Sequence, residues 1–218
     1  DYLTRPVDKN ELVARVRTQL RKKRYADRLR HNVQLSLEMA ITDQLTGLHN
    51  RRYMSRHLDT LMADSQRNGR PLAFVIMDID FFKQVNDTYG HAIGDRVLIT
   101  FASLVRQNLY ADRDWLARYG GEEFVLLMGN TDIDGAMHVA DGILRQVRST
   151  EVGEAGGSQV TLSCSIGVAS CTPSSEGNPT NLMERADEAL YVRKKRQGRH
   201  GICLADEVAE LPTPTPLS

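Results

Sequence analysis

The sequence predicts an α/β (α+β) domain with a mixed β-sheet and helices on its faces, preceded by a long amphipathic helix. Three observations support this prediction. Residues 10–41 contain neither glycine nor proline and repeat apolar side chains at near-helical spacing. From Thr42 onward, strand-like apolar runs alternate with helical patterns in the order β-α-β-β-α-β-α-β. The composition, 41% hydrophobic and 26% charged, is typical of a soluble globular protein.

The charge balance and the cysteines limit the classes of partner and site. The 218 residues include 28 basic and 28 acidic side chains, so we expect no bulk affinity for nucleic acid or an anionic membrane. The chain has no apolar run near the roughly 20 residues that span a bilayer, and its start has no signal-peptide pattern. Cys164, Cys171 and Cys203 form no C-x-x-C pair, so we expect reduced thiols and a cytoplasmic location.

The first part of the chain has two segments. Residues 1–9, DYLTRPVDK, have the pattern of a strand end, a proline turn and the cap of a helix. We expect one helix over residues 10–41. Its apolar positions are Leu12, Val16, Leu20, Leu29, Val33, Leu37 and Ile41. Such a stripe indicates a coiled-coil partner, and packing along the helix's own domain is an equally open alternative.

The remaining elements follow from apolar runs and their boundaries. We predict strands over residues 71–79, 115–119, 123–128 and 159–170, and a last short strand over 201–205. The predicted helices cover residues 92–110, 132–148 and 180–195. Two glycines join the second and third strands, which indicates a hairpin. The Pro/Thr-rich tail, residues 205–218, is predicted to be disordered.

An Asp-x-Asp pattern ends the first strand of this domain. Asp78 and Asp80 lie two residues apart, so the strand repeat places both on one face of the sheet. Carboxylates at the end of a buried strand need a cation or hydrogen-bond donors, and Mg²⁺ with phosphate is one such partner. Lys83 follows as a positive charge suited to phosphate. For the Asp-x-Asp pattern alone, a capping Asp with polar loop residues is the favoured interpretation.

The hairpin connection RYGGEEF, residues 118–124, adds two carboxylates at Glu122 and Glu123. If the strand that ends at Asp78 neighbours this hairpin, the three acids converge and repel unless a metal ion lies between them. The glycines would allow the turn and let another molecule approach the backbone closely. This arrangement suits two-metal phosphoryl transfer, in which cations hold a triphosphate and activate a hydroxyl.

These motifs together resemble a known family. RYGGEEF is similar to the signature of the GGDEF family of diguanylate cyclases, in its GGEEF variant. DQLTGLHNRR (43–52), DIDFFKQVNDTYGHAIGD (78–95), SIGVA (165–169) and RADEALY…GR (185–199) match further motifs of that family. The resemblance covers residues 42–204 and implies a palm-like, nucleotidyl-cyclase-like mixed sheet flanked by helices. Residues 1–9 resemble the end of a response-regulator receiver domain, so we expect the chain to be truncated within such a domain.

The resemblance implies a reaction and a set of site residues. The reaction is condensation of two GTP into cyclic di-GMP with release of two pyrophosphates, by a homodimer joined through the N-terminal helix with facing catalytic domains. Asp78, Glu122 and the Ile79 carbonyl would hold Mg²⁺, or Mn²⁺. Glu122 would also be the general base, with Glu123 supporting the same acidic cluster, and Lys83 would neutralise the charge that develops on the phosphates. The residues implied in GTP binding are Asn86 and Asp95 at the guanine, the backbone at Phe82 and Gly121, and Lys195 and Arg199 at the phosphates. The rings of Phe81 and Phe82 are expected in the core.

The product-inhibition motif of the family, R-x-x-D, is incomplete in this sequence. Its aspartate is present as Asp114, but Ala111 stands at the arginine position. Alanine cannot make the bidentate contact that arginine makes with a guanine or phosphate. We therefore predict that high-affinity product inhibition through this site is weakened or lost.

A second departure concerns the phosphate-contacting lysine. Tyr191 and Arg199 lie one residue further apart than the family spacing, so the lysine is either Lys194 or Lys195. We prefer Lys195, because a four-residue spacing would keep it on one helical face with Arg199. A π-bulge or the following loop would absorb the extra residue.

Three functions remain open at this point. An active diguanylate cyclase is the leading hypothesis, since a decayed site would lose Glu122, Glu123, Asp78 and Lys83 first. The rivals are a catalytically silent module that binds GTP or cyclic di-GMP, and a purine cyclase that makes a cyclic mononucleotide.

Overall fold

The computed structural model describes residues 9–110, 113–155, 158–172 and 179–209. The chain divides into two units, residues 1–41 and residues 42–218. The helices are α1 (Lys9–Ile41), α2 (Arg51–Asn68), α3 (Phe82–Tyr89), α4 (His91–Arg106), α5 (Ile133–Ser149), α6 (Pro179–Lys195) and α7 (Ala205–Ala209). The strands are β1 (His49–Asn50), β2 (Leu72–Ile79), β3 (Asp114–Gly120), β4 (Glu123–Gly129), β5 (Glu151–Ala155), β6 (Ser158–Thr161), β7 (Cys164–Cys171) and β8 (Gly201–Leu204).

Helix α1 confirms the predicted long helix, with 33 residues and a start at Lys9. Five residues of its apolar stripe are exposed, with exposed fractions of 40–53% at Leu12, Val16, Leu20, Leu29 and Val33, whereas Ile41 at the end of the helix is half-buried. The expected receiver remnant, residues 1–9, lies outside the described residues except for Lys9. No helix in the described ranges is both long enough and apolar enough to cross a bilayer.

Six strands form one mixed sheet in the order β1-β3-β4-β2-β7-β8, and β5 pairs with β6 in a separate two-stranded sheet. The outer pairs β1·β3 and β7·β8 are parallel, whereas the inner pairs β3·β4, β4·β2 and β2·β7 are antiparallel. Strand β2 is therefore central, and all eight of its residues are buried. A strand covered on both faces is apolar along its length, as this one is until Asp78.

Helices cover both faces of the sheet. On one face, α4 and α5 pack against alternate residues of β2, including Val75, Met77 and Ile79. On the other face, α2 and α6 pack against Leu72, Phe74 and Ile76. The side-chain repeat of a strand therefore places Asp78 on the face of α2 and α6. Asp80 follows the end of β2, and its carboxylate accepts a hydrogen bond from Ser165, which lies opposite Asp78 in the β2–β7 pair, so the two carboxylates share that face.

Several elements differ from the predicted ones. Strand β1, helix α2, helix α3 and strand β5 had no counterpart in the prediction, although α2 has clear boundaries. The Asn50 side chain accepts a hydrogen bond from the Tyr53 N–H at its start, and Gly69 ends it with a φ of 66°. The predicted strand 159–170 is divided into β6, which pairs with β5 in the separate sheet, and β7, which pairs with β2 in the main sheet.

The boundary of the tail is also corrected. Residues 205–209 form helix α7 rather than the start of a disordered segment. Ala205 is buried, and the Glu207 carboxylate accepts a hydrogen bond from the Leu204 N–H. Asp206 forms an ion pair with Arg185 of α6 at 2.7 Å. The remaining tail, residues 210–218, lies outside the described residues.

Candidate active site

An acidic group forms where β2 ends and the β3–β4 hairpin turns. Asp78 lies directly opposite Glu123 in the antiparallel β2–β4 pair, so the two side chains share a face. Glu122 precedes β4, and its carbonyl accepts a hydrogen bond from the Ile79 N–H at 3.3 Å. The structure thus brings Asp78, Ile79, Glu122 and Glu123 together, as the sequence predicted for adjacent strands.

The hairpin turn is held by an arginine to which the sequence motifs gave no role. The Arg118 guanidinium donates two hydrogen bonds to the Gly121 carbonyl, at 3.0 and 2.8 Å. Its Nη1 also contacts both carboxylate oxygens of Asp43 at 3.2 Å. Asp43 in turn accepts hydrogen bonds from the N–H and hydroxyl of Thr46. Asp43 and Arg118 occur within the two quoted motifs DQLTGLHNRR and RYGGEEF, so the motifs themselves were the available signal.

The two glycines of the turn differ in backbone conformation. Gly121 has a φ of 47°, which an L-residue with a side chain rarely adopts. Gly120 has no such φ, and a Cβ at either position would meet no atom within 4 Å. The space beside the turn is therefore open, which agrees with close approach of another molecule to the backbone.

Helix α6 supplies the cation nearest to the acids. The Lys194 ammonium contacts the Asp78 carboxylate at 2.8 Å. The helix lies this close because β7 has Gly167 beneath it, where a Cβ would overlap the Ala186 carbonyl and the Leu190 amide. Of the two candidate lysines, Lys194 is therefore the one beside the predicted metal carboxylate.

The end of helix α6 rules out the shared helical face that favoured Lys195 over Lys194. Helix α6 ends at Lys195, so Arg199 is not on a helical face with it. The N–H groups of Arg196 and Gln197 both donate to the Val192 carbonyl, and Gly198 follows with a φ of 78°. The chain thus forms a turn between Lys195 and Arg199.

Lys195 and Arg199 nevertheless lie at the same cleft as Lys194. This cleft has a volume of about 220 Å³ and is lined by Glu123, Asp187, Leu190, Tyr191, Lys194, Lys195 and Arg199. It joins the cationic end of α6 to the acidic group on the sheet. A ligand with several negative charges, held beside a metal ion, would match that distribution of charge.

The charges of this group shift the pKa values of its carboxyls. Burial raises the pKa of Asp78 above the ordinary aspartate value; Lys194 lowers it, and the charges of Glu122 and Asp80 add to the rise. Burial likewise raises the pKa of Glu123, followed by the charges of Asp78 and Asp187. Burial is thus the main cause of the rise at both acids, and neighbouring carboxylates add to it.

The second acid of the Asp-x-Asp pattern has a different environment. The Asp80 carboxylate is buried and accepts hydrogen bonds from the hydroxyls of Ser165 and Ser163, at 2.7 and 3.2 Å. Arg199 Nη1 approaches it at 3.4 Å and the His200 N–H at 3.2 Å. Both carboxylate oxygens of Asp80 therefore contact donors of the chain, and the Arg199 guanidinium is one of these donors.

Helices α3 and α4 carry the residues implied in nucleotide binding. The Phe82 ring is in the core as expected, but the prediction for Phe81 is wrong, since its ring is 45% exposed. Phe81 precedes α3 with a φ of 57°, and this left-handed conformation turns its ring outward under the Arg199 guanidinium. Lys83 is exposed in the first turn of α3, where backbone N–H groups lack intrahelical acceptors.

The predicted guanine-binding pair is brought close by a glycine. Asn86 lies on α3, and its side-chain oxygen occupies the space where Gly94 of α4 would have a Cβ. Asp95 follows Gly94 and is exposed. Glycine at this position thus lets the Asn86 amide lie beside the start of α4, next to Asp95.

The predicted remnant of the inhibitory motif is only partly described. Ala111 lies outside the described residues. Asp114 is buried at the start of β3, where its carboxylate accepts a hydrogen bond from the Tyr110 N–H at 2.9 Å and contacts Arg113 at 3.6 Å. In this chain Asp114 therefore braces its own loop.

The predicted metal ligands are the carboxylates of Asp78 and Glu122 and the carbonyl of Ile79. In the described part of the chain, no three or more His, Cys, Asp or Glu residues are grouped so as to hold one. The predicted set is smaller, with two carboxylates and a backbone carbonyl, and its oxygen donors suit Mg²⁺ or Mn²⁺. Asp78 is buried and lies opposite Glu123 and near Glu122, and a divalent cation would offset the repulsion between these carboxylates.

Comparison with known proteins identifies the family. Residues 40–200 match the family model described as "Diguanylate cyclase, GGDEF domain". The chain belongs to the GGDEF family. Response regulator PleD of Caulobacter vibrioides is 46% identical to this GGDEF chain over 203 residues, which cover 93% of this chain and 44% of PleD. Diguanylate cyclase A of Treponema denticola is 38% identical over 179 residues, which cover 80% of this chain and 47% of that protein. The chain thus spans about half the length of these curated relatives.

Solved structures of GGDEF domains confirm the predicted fold class. The coiled coil and GGDEF domain of DgcB from Caulobacter crescentus, in complex with c-di-GMP, has a TM-score of 0.78 at 30% identity. That match covers 88% of this chain and 98% of the DgcB chain. The active GGEEF domain of a diguanylate cyclase from Vibrio cholerae has a TM-score of 0.66 at 31% identity, with 72% and 96% covered.

Proposed function

We propose that this GGDEF chain is a diguanylate cyclase that condenses two GTP into cyclic di-GMP and releases two pyrophosphates. The observation that carries the proposal is the placement of Asp78 opposite Glu123, with Glu122 at the open turn beside them. Membership of the GGDEF family and the curated cyclases among its relatives support the same reaction. The intact acids favour this proposal over a module that only binds nucleotide.

Asp78, Glu122 and the Ile79 carbonyl would hold Mg²⁺, or Mn²⁺ in its place. A bound divalent cation would neutralise the triphosphate and lower the pKa of the attacking ribose hydroxyl. The chain contributes the buried carboxylate of Asp78 and an ammonium group beside it. Lys194, which contacts Asp78 in the structure, would turn to a phosphate oxygen when a cation takes its place.

The remaining steps belong to residues of the chain. Glu122 would accept the proton of the 3′-hydroxyl as its oxygen attacks the α-phosphorus of the other GTP, while the bond from that phosphorus to pyrophosphate breaks. Glu123 would maintain the negative field of the cation site. Lys83 would stabilise the charge that develops on the phosphates in the transition state, and Lys195 and Arg199 would bind the phosphates of GTP.

Nucleotide orientation would come from α3 and α4. Asn86 and Asp95 lie at their junction, and a carboxylate there accepts hydrogen bonds from the guanine ring N–H and amino group, which adenine cannot offer together. The N–H groups at Phe82 and in the first turn of α3, with the open backbone at Gly121, would contact phosphate oxygens.

Incubation with GTP and Mg²⁺, with products separated by chromatography, tests the proposal. Cyclic di-GMP and pyrophosphate in a 1:2 ratio are expected. Nucleotide binding without any product, at every protein concentration, would leave the silent binding module. A cyclic mononucleotide formed at a rate independent of assembly would indicate the purine cyclase instead.

We infer that two chains must face each other, because one catalytic domain holds one of the two GTP molecules. The exposed stripe of α1 supports pairing through that helix, which would raise the effective concentration of facing domains. Specific activity should therefore increase with protein concentration. Leu20→Glu should shift that increase to higher concentration, whereas Gln19→Glu, which adds the same charge beside the stripe, should not. Equal curves for the two variants would contradict pairing through this stripe.

We further propose that cyclic di-GMP does not inhibit the enzyme tightly through the R-x-x-D position. Arginine is replaced there by Ala111, and Asp114 is engaged with its own loop. Micromolar cyclic di-GMP should leave the initial rate nearly unchanged, and Ala111→Arg should restore inhibition. Strong inhibition of the unmodified protein that Asp114→Ala abolishes would contradict the proposal.

We also propose that a receiver domain precedes this segment in the complete protein. The pattern of residues 1–9 and the match to a response regulator support that proposal. Phosphorylation of such a domain would act on this chain by promoting the pairing described above.

A further inference from the structure

Asp80 is the centre of a buried polar group that the proposed reaction does not use directly. This group, the Asp80 cluster, consists of Asp80, Ser163, Ser165, Arg199 and His200. Oδ1 of Asp80 accepts from the Ser165 hydroxyl at 2.7 Å and faces Arg199 Nη1 at 3.4 Å. Oδ2 accepts from the Ser163 hydroxyl and the His200 N–H, both at 3.2 Å. Asp80 is 4% exposed, so these donors satisfy a carboxylate that water scarcely reaches.

The segment that Asp80 holds is also fixed from its other side. Arg193 Nη2 donates to the carbonyls of Arg199 and His200 at 3.3 and 3.2 Å, and Arg148 donates to the His200 carbonyl. Gly201 leaves the space that the Arg193 guanidinium occupies. His200 adopts a φ of 70°, and Phe81, next to Asp80, a φ of 57°. Two residues with side chains in the left-handed region show that their surroundings determine this backbone.

The position of Arg199 gives the cluster a role at the cleft. Its guanidinium contacts Asp80 through Nη1 and lies over the Phe81 ring at 4.8 Å. The same side chain lines the cleft with Lys194 and Lys195. One edge of the guanidinium is thus held by a carboxylate and one face by an aromatic ring. This leaves donors of the planar group available to a phosphate in the cleft.

We propose that Asp80 is a positioning residue for GTP, which orients Arg199 toward the phosphates and is not itself a metal ligand. The inference rests on the proposed function and deepens it. An acceptor that is already shared among two hydroxyls, an amide and a guanidinium has no free oxygen to offer a cation. A guanidinium fixed in advance loses less entropy when it binds phosphate.

Steady-state kinetics of Asp80→Asn, Arg199→Ala and the double variant test the proposal. Asp80→Asn keeps the shape of the side chain but presents an amide to donors, so Arg199 loses its anchor. We expect KM for GTP to rise about tenfold, kcat to change little, and the double variant to match Arg199→Ala alone. Multiplied effects in the double variant would overturn the positioning role, because independent residues contribute additively in free energy.

Ser165→Ala provides the same test with little risk to folding. It removes the 2.7 Å hydrogen bond to the oxygen that holds Arg199 and keeps nearly the same volume. KM should rise about twofold, and this rise should disappear when Arg199 is already alanine. Ser170→Ala on the same strand is the matched control and should leave KM unchanged. An equal change in the control would overturn the assignment to the Asp80 cluster.

A Mg²⁺ titration separates positioning from metal binding. Asp78→Asn should raise the Mg²⁺ concentration for half-maximal activity, whereas Asp80→Asn should not. A raised Mg²⁺ requirement with unchanged KM in Asp80→Asn would make Asp80 a metal ligand and overturn the inference. If the unmodified chain binds GTP but forms no product, the proposed function fails. In that case, GTP affinities of Asp80→Asn, Arg199→Ala and the double variant, measured by calorimetry with Ca²⁺ in place of Mg²⁺, still show whether the two residues are coupled.

Discussion

The surroundings of Asp78 and of Asp80 form a natural comparison within one strand end. The two carboxylates are both 4% exposed and lie on the same face of the sheet, two residues apart. Asp80 is surrounded by donors, whereas Asp78 has the Lys194 ion pair and faces the charges of Glu122, Glu123 and Asp80. The difference shows that burial alone does not identify a functional acid. A functional acid is identified by the hydrogen-bond donors and the like charges that surround its carboxylate.

The largest effect should come from the acid at the hairpin turn. Glu122→Gln removes both the proposed base and a proposed metal ligand, so kcat should fall about a thousandfold. Glu122 is half-buried at an open turn, so the melting temperature should change little. Product formation by chromatography and thermal unfolding would measure the two quantities. Glu188→Gln, an exposed change on α6, is the control. Retention of more than a tenth of the activity would show that Glu122 is not the base.

An intermediate effect should distinguish the two neighbouring lysines. Lys194 contacts Asp78, whereas Lys195 is exposed at the rim of the same cleft. Lys194→Ala should raise KM for GTP about tenfold and Lys195→Ala about twofold. Lys194 lies in the less hydrated position, so its attraction to a phosphate is screened less than that of Lys195. Initial rates across GTP concentrations measure both. The reverse order would restore the preference for Lys195 that the sequence spacing suggested.

The smallest effect concerns stability and its dependence on pH. The pKa of Asp78 is raised in the folded state, so its protonation contributes stability that is fully present below the unfolded pKa and lost as pH rises through the folded pKa. At neutral pH the ionised carboxylate therefore destabilises the fold. Asp78→Asn should raise the melting temperature by about 2 °C at pH 7.5 without divalent ions.

The advantage of Asp78→Asn should vanish at acidic pH, below the raised pKa of Asp78, where the native aspartate is protonated as well. Ser165→Ala should instead lower the melting temperature at both pH values, since it leaves a buried acceptor of Asp80 with one donor fewer. A stabilised Ser165→Ala or a destabilised Asp78→Asn would contradict the distinction between the two acids.

Much of the site could be predicted because it depends on the two-residue repeat of strands. That repeat placed Asp78 and Asp80 on one face, and the hairpin glycines indicated which strands would bring Glu122 and Glu123 beside them. The division of the predicted strand 159–170 into β6 and β7 was less accessible, because the two strands pair in different sheets. Helix α6 ends at Lys195 as predicted, so the four-residue spacing used to prefer Lys195 runs past the helix and does not place it on one helical face with Arg199.

The role of Asp80 could not be predicted, because its donors come from distant parts of the chain. Ser163 and Ser165 follow it by more than eighty residues, and Arg199 and His200 by about 120. Only the tertiary fold brings them to one carboxylate. The same limit applies to Arg118 and Asp43, whose contact spans 75 residues although each lies in a recognisable motif.

Gly167 determines how closely helix α6 approaches the sheet at the cleft. Because its missing side chain lets α6 rest on the backbone of β7, one methyl group sets the gap between the helix that carries Lys194 and the sheet that carries Asp78. An alanine there would push the helix outward by a distance comparable to the tolerance of a hydrogen bond. The SIGVA motif, which supplies the Ser165 hydroxyl to Asp80, thus also determines through Gly167 how close Lys194 on α6 lies to Asp78.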